Sequence, residues 1–316
     1  MAQQQQIRYI DPMVDFAFKR IFKDSGNKDL IIRPLNAIFS LDITDIDIGE
    51  SEQLGLTEQE RKSTFDMFCT TRDGKSFIIE VQLADQTFFM ERAIFYSARS
   101  ISHKAKRGKW DYDFKPVFFL GLMNFDIRHL EPKLIDPEQF IHKFSLREER
   151  TGELMSRYLR FAFLEVARFD KRREDCNSFE DRFLYLMKNL PTFADDPELW
   201  DDTDNYFTDL MKEATFASMT WEEQEQYIAS MKQKWDYQNT IDFAENKGRE
   251  AGLAEGREKG LAEGLEKGIE KGLAEGLEKG IEQERLKNAR NFKKLGVSIS
   301  TIAEATGLSE DQIREL

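Results

Sequence analysis

Cysteine and histidine are scarce in this chain, at two and three residues of 316. Cys69 and Cys176 are too few for a disulfide framework or a thiolate zinc site, and they read as core residues. His103, His129 and His142 have no spacing that suits a metal. No run of 18 apolar residues occurs, so no helical membrane span is expected. Met1-Ala2 followed by four glutamines lacks the basic-then-apolar layout of a secretion signal. A cytoplasmic protein is the expectation. Glycines are present, but none leads into Gly-Lys-Ser/Thr, which excludes a P-loop.

Positive charge is also short. Lys and Arg number 46 against 59 Asp and Glu, a net −13. The deficit is uneven. Residues 1–135 hold 19 basic and 20 acidic side chains, whereas residues 136–316 hold 27 and 39. Arg99, Lys104, Lys106, Arg107, Lys109 and Lys115 fall within 17 residues, opposed there only by Asp111 and Asp113. Such a patch can steer a polyanion on an acidic molecule; a solvated helix end and loop is the plain alternative.

What is present is apolar material for a sizeable core, 40% hydrophobic residues with 33% charged, enough for one large or two smaller domains. Residues 13–23 place Val14, Phe18, Ile21 and Phe22 on a helical stripe with Asp15 near its start. A second helix is expected over about Lys28–Phe39, with Pro34 as a possible break. Residues 43–49 alternate Ile and Asp like an edge strand, and 50–62 are polar and irregular. Residues 88–107 read as a helix carrying Phe89, Ala93, Tyr96 and Ile101, and 116–123 as a buried strand. Strand, strand, helix, strand implies an α/β core with helices outside it. From about Ser145 the spacing predicts mainly helix, over Leu154–Ala167, Phe179–Leu190 and two helices in 206–240, with an acidic loop at 192–204.

Two acidic residues stand out on the paired strands. Asp66 lies in Thr64-Phe-Asp-Met-Phe-Cys69 and Glu80 in Phe77-Ile-Ile-Glu-Val-Gln82, with Arg72-Asp73-Gly74 between them as a tight turn. A two-residue loop would put Asp66 opposite Val81 and Glu80 on the other face. A three-residue loop with Gly74 left-handed pairs Thr71 with Lys75. It sets Asp66 opposite Glu80 and Met67 opposite Ile79, so the carboxylates share one face while the apolar residues share the other. Neighbouring strand-borne carboxylates make a seat for a divalent cation.

With these residues the chain resembles the PD-(D/E)XK nuclease-like, transposase-associated family (recombination-promoting nucleases). The matching features are Asp15-Phe-Ala-Phe-Lys19 with Ile21-Phe22, then Asp66, Asp73-Gly74 and Ile79-Glu-Val-Gln82, followed by Arg92, Tyr96 and Arg99. The resemblance spans residues 8–240. It implies a restriction-endonuclease-like mixed-sheet core with flanking helices and a helical extension. It also implies a metal-dependent DNA endonuclease of low sequence preference, linked to recombination or mobile elements. Asp66, Glu80, Asp15 and the Val81 carbonyl would hold Mg²⁺, for which Mn²⁺ would substitute. Gln82 stands where the name-giving motif has Lys. It can orient water but carries no charge, so Lys19 or Arg99 would supply it; Lys19, Arg92, Tyr96 and Arg99 are the candidate phosphate contacts. The alternative is a catalytically degenerate fold that binds nucleic acid or protein.

The C-terminal quarter has its own pattern. Glycine recurs every fourth residue from Gly248 to Gly280. Each helical Gly costs roughly 1 kcal/mol against Ala, and a four-residue period drifts about 40° per step, so it makes no steady coiled-coil seam. A spacer or marginal helix is expected, with self-association into a homo-oligomer as the sharper option. Residues 294–316 resemble a small helix-turn-helix, with Ser309 and Gln312 forming a capping box. Its last helix sets Glu310, Asp311 and Glu315 against Arg314 alone, which favours packing over DNA binding. The expected division is 1–240, 241–285 and 286–316.

Overall fold

A mixed sheet of six strands organises the computed structural model, which describes residues 7–49, 52–53, 63–83, 88–103, 114–127, 136, 138–195, 197, 200–201 and 203–316. The chain divides into two compact units, Met1–Tyr237 and Gln238–Leu316. In chain order the strands are β1 (Ile46–Ile48), β2 (Glu52–Gln53), β3 (Ser63–Thr64), β4 (Met67–Thr71), β5 (Ser76–Gln82), β6 (Val117–Met123), β7 (Ile141–Ser145) and β8 (Leu159–Glu165). The helices are α1 (Asp15–Lys19), α2 (Asp29–Phe39), α3 (Phe89–His103), α4 (Phe179–Asn189), α5 (Tyr206–Glu213), α6 (Trp221–Lys294), α7 (Ile299–Thr306) and α8 (Glu310–Glu315).

The sheet order is β1-β4-β5-β6-β8-β7, with β2 and β3 forming a separate ribbon. β4 runs antiparallel to both its neighbours, β1 and β5, while β5, β6 and β8 run parallel, and β7 closes the far edge antiparallel to β8. This is the α/β architecture of a restriction-endonuclease-like core. Period-two alternation divides each central strand between two cores. Phe77 and Ile79 enter one with α1, α2, α4 and α5. Ile78 enters the other, where Phe89 and Ala93 of α3 meet Val117, Phe119, Phe161 and Phe163.

The β4–β5 turn has the three-residue form. The Thr71 N–H donates to the Lys75 carbonyl at 3.0 Å and the Gly74 N–H to the Thr71 carbonyl at 2.9 Å. Gly74 has φ +88°, a left-handed conformation that a Cβ would strain. Met67 consequently pairs with Ile79 and Cys69 with Phe77.

Two expectations are corrected here. Pro34 does not break α2. Lacking an N–H, it leaves the Leu30 carbonyl without its helical donor, and the Tyr206 hydroxyl of α5 donates to that carbonyl at 2.9 Å. Tyr206→Phe should therefore cost about 1–3 kcal/mol, the penalty of an unsatisfied buried acceptor. The check is a thermal midpoint lower by several degrees; an unchanged midpoint would show that the contact contributes nothing.

The second correction concerns Leu154–Ala167, which is not a helix. Leu159–Glu165 is strand β8, parallel to β6, and β7 before it was not anticipated. Phe161 and Phe163 face one core while Ala162 and Leu164 face the other. A strand buried on both faces shows no alternation, and its apolar run mimics a helix segment. Lys104, Lys106, Arg107 and Lys109 of the basic patch, within 104–113, and most of the irregular segment 50–62 lie outside the described residues.

In the second unit, α7 and α8 fold back on the end of α6. Ile302, Leu308 and Ile313 enclose Ala289. Ser309 and Gln312 form the reciprocal capping box. Lys293 Nζ donates to the Ile313 and Arg314 carbonyls at 3.0 and 2.9 Å, fixing the end of α8. Arg314 is engaged by Glu310 and Asp311. The nine glycines from Gly248 to Gly280 all lie within α6, and a Cβ built on any of them meets nothing within 4 Å.

Candidate functional site

The C-terminal end of β5 carries Glu80, Val81 and Gln82. Before β4 the chain bends at Asp66, and continuing the register from Met67 opposite Ile79 sets Asp66 opposite Glu80. The bend lets the Asp66 side chain take the place of a main-chain acceptor. Its Oδ2 receives the Val81 N–H at 2.6 Å, a short charge-assisted hydrogen bond.

Asp15 arrives from the first turn of α1. Its exposed carboxylate pairs with Lys19 one turn on, at 2.8 Å, and lies close enough to Asp66 for its charge to act on that carboxyl. The segment before α1 is anchored downstream. The Ile10 N–H bonds the Ala214 carbonyl, the Asp11 N–H bonds the Tyr227 hydroxyl, and the Asp11 carboxylate pairs with Lys234 of α6. Arg20, just past α1, is held by the Glu213 carbonyl and by Glu223. Contacts from about 200 residues downstream thus fix where Asp15 sits.

Glu80 is 5% exposed. Its Oε1 has no hydrogen-bond partner among the described residues. The register neighbour on β6 is Gly121, where a Cβ would come within 3.0 Å of Phe163 and 3.2 Å of Phe89. Glycine there lets the rings close over the sheet beside Glu80 and shut out water. Burial, then the Asp66 charge, pushes the Glu80 carboxyl up to about 8, against the pull of Arg92. Burial, then Asp15, raises Asp66 to about 6, although the Val81 N–H and Lys19 oppose the rise.

A second buried glutamate supplies the contrast. Glu165, 0% exposed at the end of β8, accepts the Ile127 N–H at 2.9 Å and pairs with His142 and Arg168 at 2.8 Å each. Burial pushes that carboxyl up, but these partners outweigh it and hold it below the ordinary value. Glu165 is neutralised by its own fold. Glu80 has no such hydrogen-bonded partners for its Oε1 among the described residues, and the combination of an orphaned oxygen with repelling carboxylates is what a cation would relieve. Oxygen donors suit a hard divalent ion. Among the described residues no three His, Cys, Asp or Glu side chains form a ready metal cage. The donor set therefore fits an ion completed by main-chain oxygen and water.

The remaining candidates divide. Lys19 and Arg92 lie close enough for their charges to act on Glu80. Gln82 shares the Glu80 face of β5 by alternation. Tyr96 packs edge-on against Phe65 at 5.1 Å, with Arg92 over its ring at 5.8 Å. Arg99 is buried on α3 two turns beyond Arg92. Sequence reasoning missed the wall opposite. Asp15, Val81, Gln82 and Leu83 line a cavity of about 260 Å³ whose other side is Ser230, Gln233, Lys234 and Tyr237 of α6. The only sequence signal was the helical recurrence of Tyr227, Ser230 and Lys234, which says nothing of what they face.

Against protein-family models, residues 12–244 match the model described as PD-(D/E)XK nuclease family transposase. Searches of curated proteins and of solved structures returned no match.

Proposed function

Because the chain belongs to the PD-(D/E)XK nuclease family transposases, whose nucleases generally use divalent metals, we propose that it is a metal-dependent endonuclease hydrolysing DNA phosphodiester bonds at the Asp66–Glu80 site. The observation that carries this reading is the buried Glu80 carboxyl, opposite Asp66, whose Oε1 has no hydrogen-bond partner among the described residues. Asp66, Glu80 and the Val81 carbonyl would hold Mg²⁺, with Asp15 closing the site. Bound there, the ion would supply positive charge at the scissile phosphate and a more acidic water.

The chain's own groups do the rest. The Val81 N–H fixes the Asp66 carboxylate in place. Gln82 orients the attacking water through its amide but cannot take its proton. Lys19 and Arg92 offset the phosphate charge that Gln82, in place of the usual Lys, does not. Water adds to phosphorus and gives a proton to solvent as the bond to the sugar oxygen breaks, and that oxygen takes a proton from solvent as it leaves. A transposase-type family supports a role in recombination or in the movement of mobile elements.

The direct test is supercoiled plasmid incubated with the full chain in Mg²⁺ or in EDTA. Nicked circles should accumulate only with Mg²⁺. Retention of the plasmid without nicking would favour a binding module over an enzyme.

A further inference from the structure

At the other end of β5 from Glu80 lies a basic cavity of about 550 Å³. Lys75, Lys143, Arg147, Arg157 and Arg160 line it, and among the described residues no acidic side chain does. Arg160 is fixed. It donates to the Phe39 carbonyl at 2.9 Å and stacks over Phe39 and Phe118 at 5.6 and 5.7 Å. Arg147 is oriented by Ser145 Oγ at 3.1 Å and the Gly152 carbonyl at 2.7 Å. Among the described residues neither of these arginines, nor Arg157 or Lys143, pairs with a carboxylate; Lys75 alone does, with Asp73. Of the acids on the adjoining turn, Glu148 is occupied by Thr151, and neither Glu149 nor Glu153 reaches the cavity. Burial, then the charges of Arg147 and Arg157, pulls the Arg160 guanidinium below its ordinary pKa, as expected where cations crowd without a counter-charge.

We propose that this cavity is a second anion site, which takes the phosphate of a ligand of nucleotide size. Converging guanidinium forks suit phosphate oxygens. The volume is in the range of small-ligand pockets and exceeds what a bare phosphate needs. Phe118, Phe144 and Leu154 provide apolar wall for the flat remainder of the ligand. The same chemistry is offered by a free mononucleotide and by the phosphorylated end of a nucleic-acid strand. The inference does not rest on cleavage at Glu80.

The test is calorimetric titration of the full chain, in EDTA and low salt, with AMP, with the 5′-phosphorylated dinucleotide pdTdT and with unphosphorylated dTdT. Both phosphorylated probes should bind at least tenfold more tightly than dTdT. An Arg147→Ala, Arg157→Ala double variant should weaken them at least tenfold at an unchanged thermal midpoint. Lys143→Glu, at an exposed position, should do the same and serves if the double variant does not fold. AMP binding as tightly as pdTdT assigns the site to a free nucleotide, and a preference for pdTdT assigns it to a strand end. Equal affinity for pdTdT and dTdT, no binding at millimolar probe, or unaltered binding by the folded variants would overturn the proposal.

Discussion

Glu80→Gln should lower Mg²⁺-dependent plasmid nicking about a thousandfold, about 4 kcal/mol of barrier, while raising the thermal midpoint at pH 8. The two effects have one origin. Glu80 is buried beside Asp66 with an oxygen that nothing among the described residues satisfies, so its charge is useful to a bound cation and costly without one. Gln keeps the volume and removes the charge. The same substitution at Glu165 should act the other way on stability. Its charge is matched by Arg168 and His142, and removing one partner of a buried pair costs on the order of 3–5 kcal/mol. Paired nicking assays and melting curves on the two variants decide the matter. A Glu80→Gln protein that nicks like wild type, or that melts lower at pH 8, would remove Glu80 from the site as described.

In the absence of divalent ions, the thermal midpoint should fall as pH rises from 5 to 9. Both carboxyls are raised in the folded chain, Asp66 to about 6 and Glu80 to about 8, whereas the unfolded chain releases those protons near pH 4. Above that point the folded state holds more protons, so stability declines with pH. The contribution is complete below about pH 4 and lost as pH passes through about 6 and then about 8. Divalent ions should reverse the decline. An ion that binds only the folded state at a hundredfold excess over its Kd adds about 2.7 kcal/mol, worth roughly 5–10 °C for a unit of this size. The gain should be larger at pH 8 than at pH 5, because protons compete for the same oxygens. Subtracting the profile of an Asp66→Asn, Glu80→Gln double variant isolates these two groups from every other titration. A midpoint difference that rises with pH, or an ion effect equal at both pH values, would sink the account.

The sequence made the hairpin legible because local chemistry specified it. Gly74 allowed the left-handed turn, and alternation then left one register in which the apolar residues and the two acids each shared a face. β8 was hidden because Phe161-Ala-Phe-Leu164 is buried on both faces and presents no period. The wall from α6 was hidden for another reason. Tyr227 and Lys234 reach the N-terminal segment through contacts that no local pattern encodes. Pro34 likewise looked like a helix breaker until Tyr206, far along the chain, satisfied the carbonyl it left open. Local periodicity conveys faces and turns; it does not convey which distant side chain repairs a local defect.

β5 is hydrogen-bonded on both sides, to β4 and to β6, and so cannot stretch. Lys75 at its head and Glu80 near its tail are five positions apart, about 16 Å at the rise of an extended strand. The strand is then a rigid spacer. Because residues 76–80 are buried against helices on both faces, no ligand can lie along it, so whatever enters the basic cavity and whatever meets the carboxylates must approach the sheet from its two different ends.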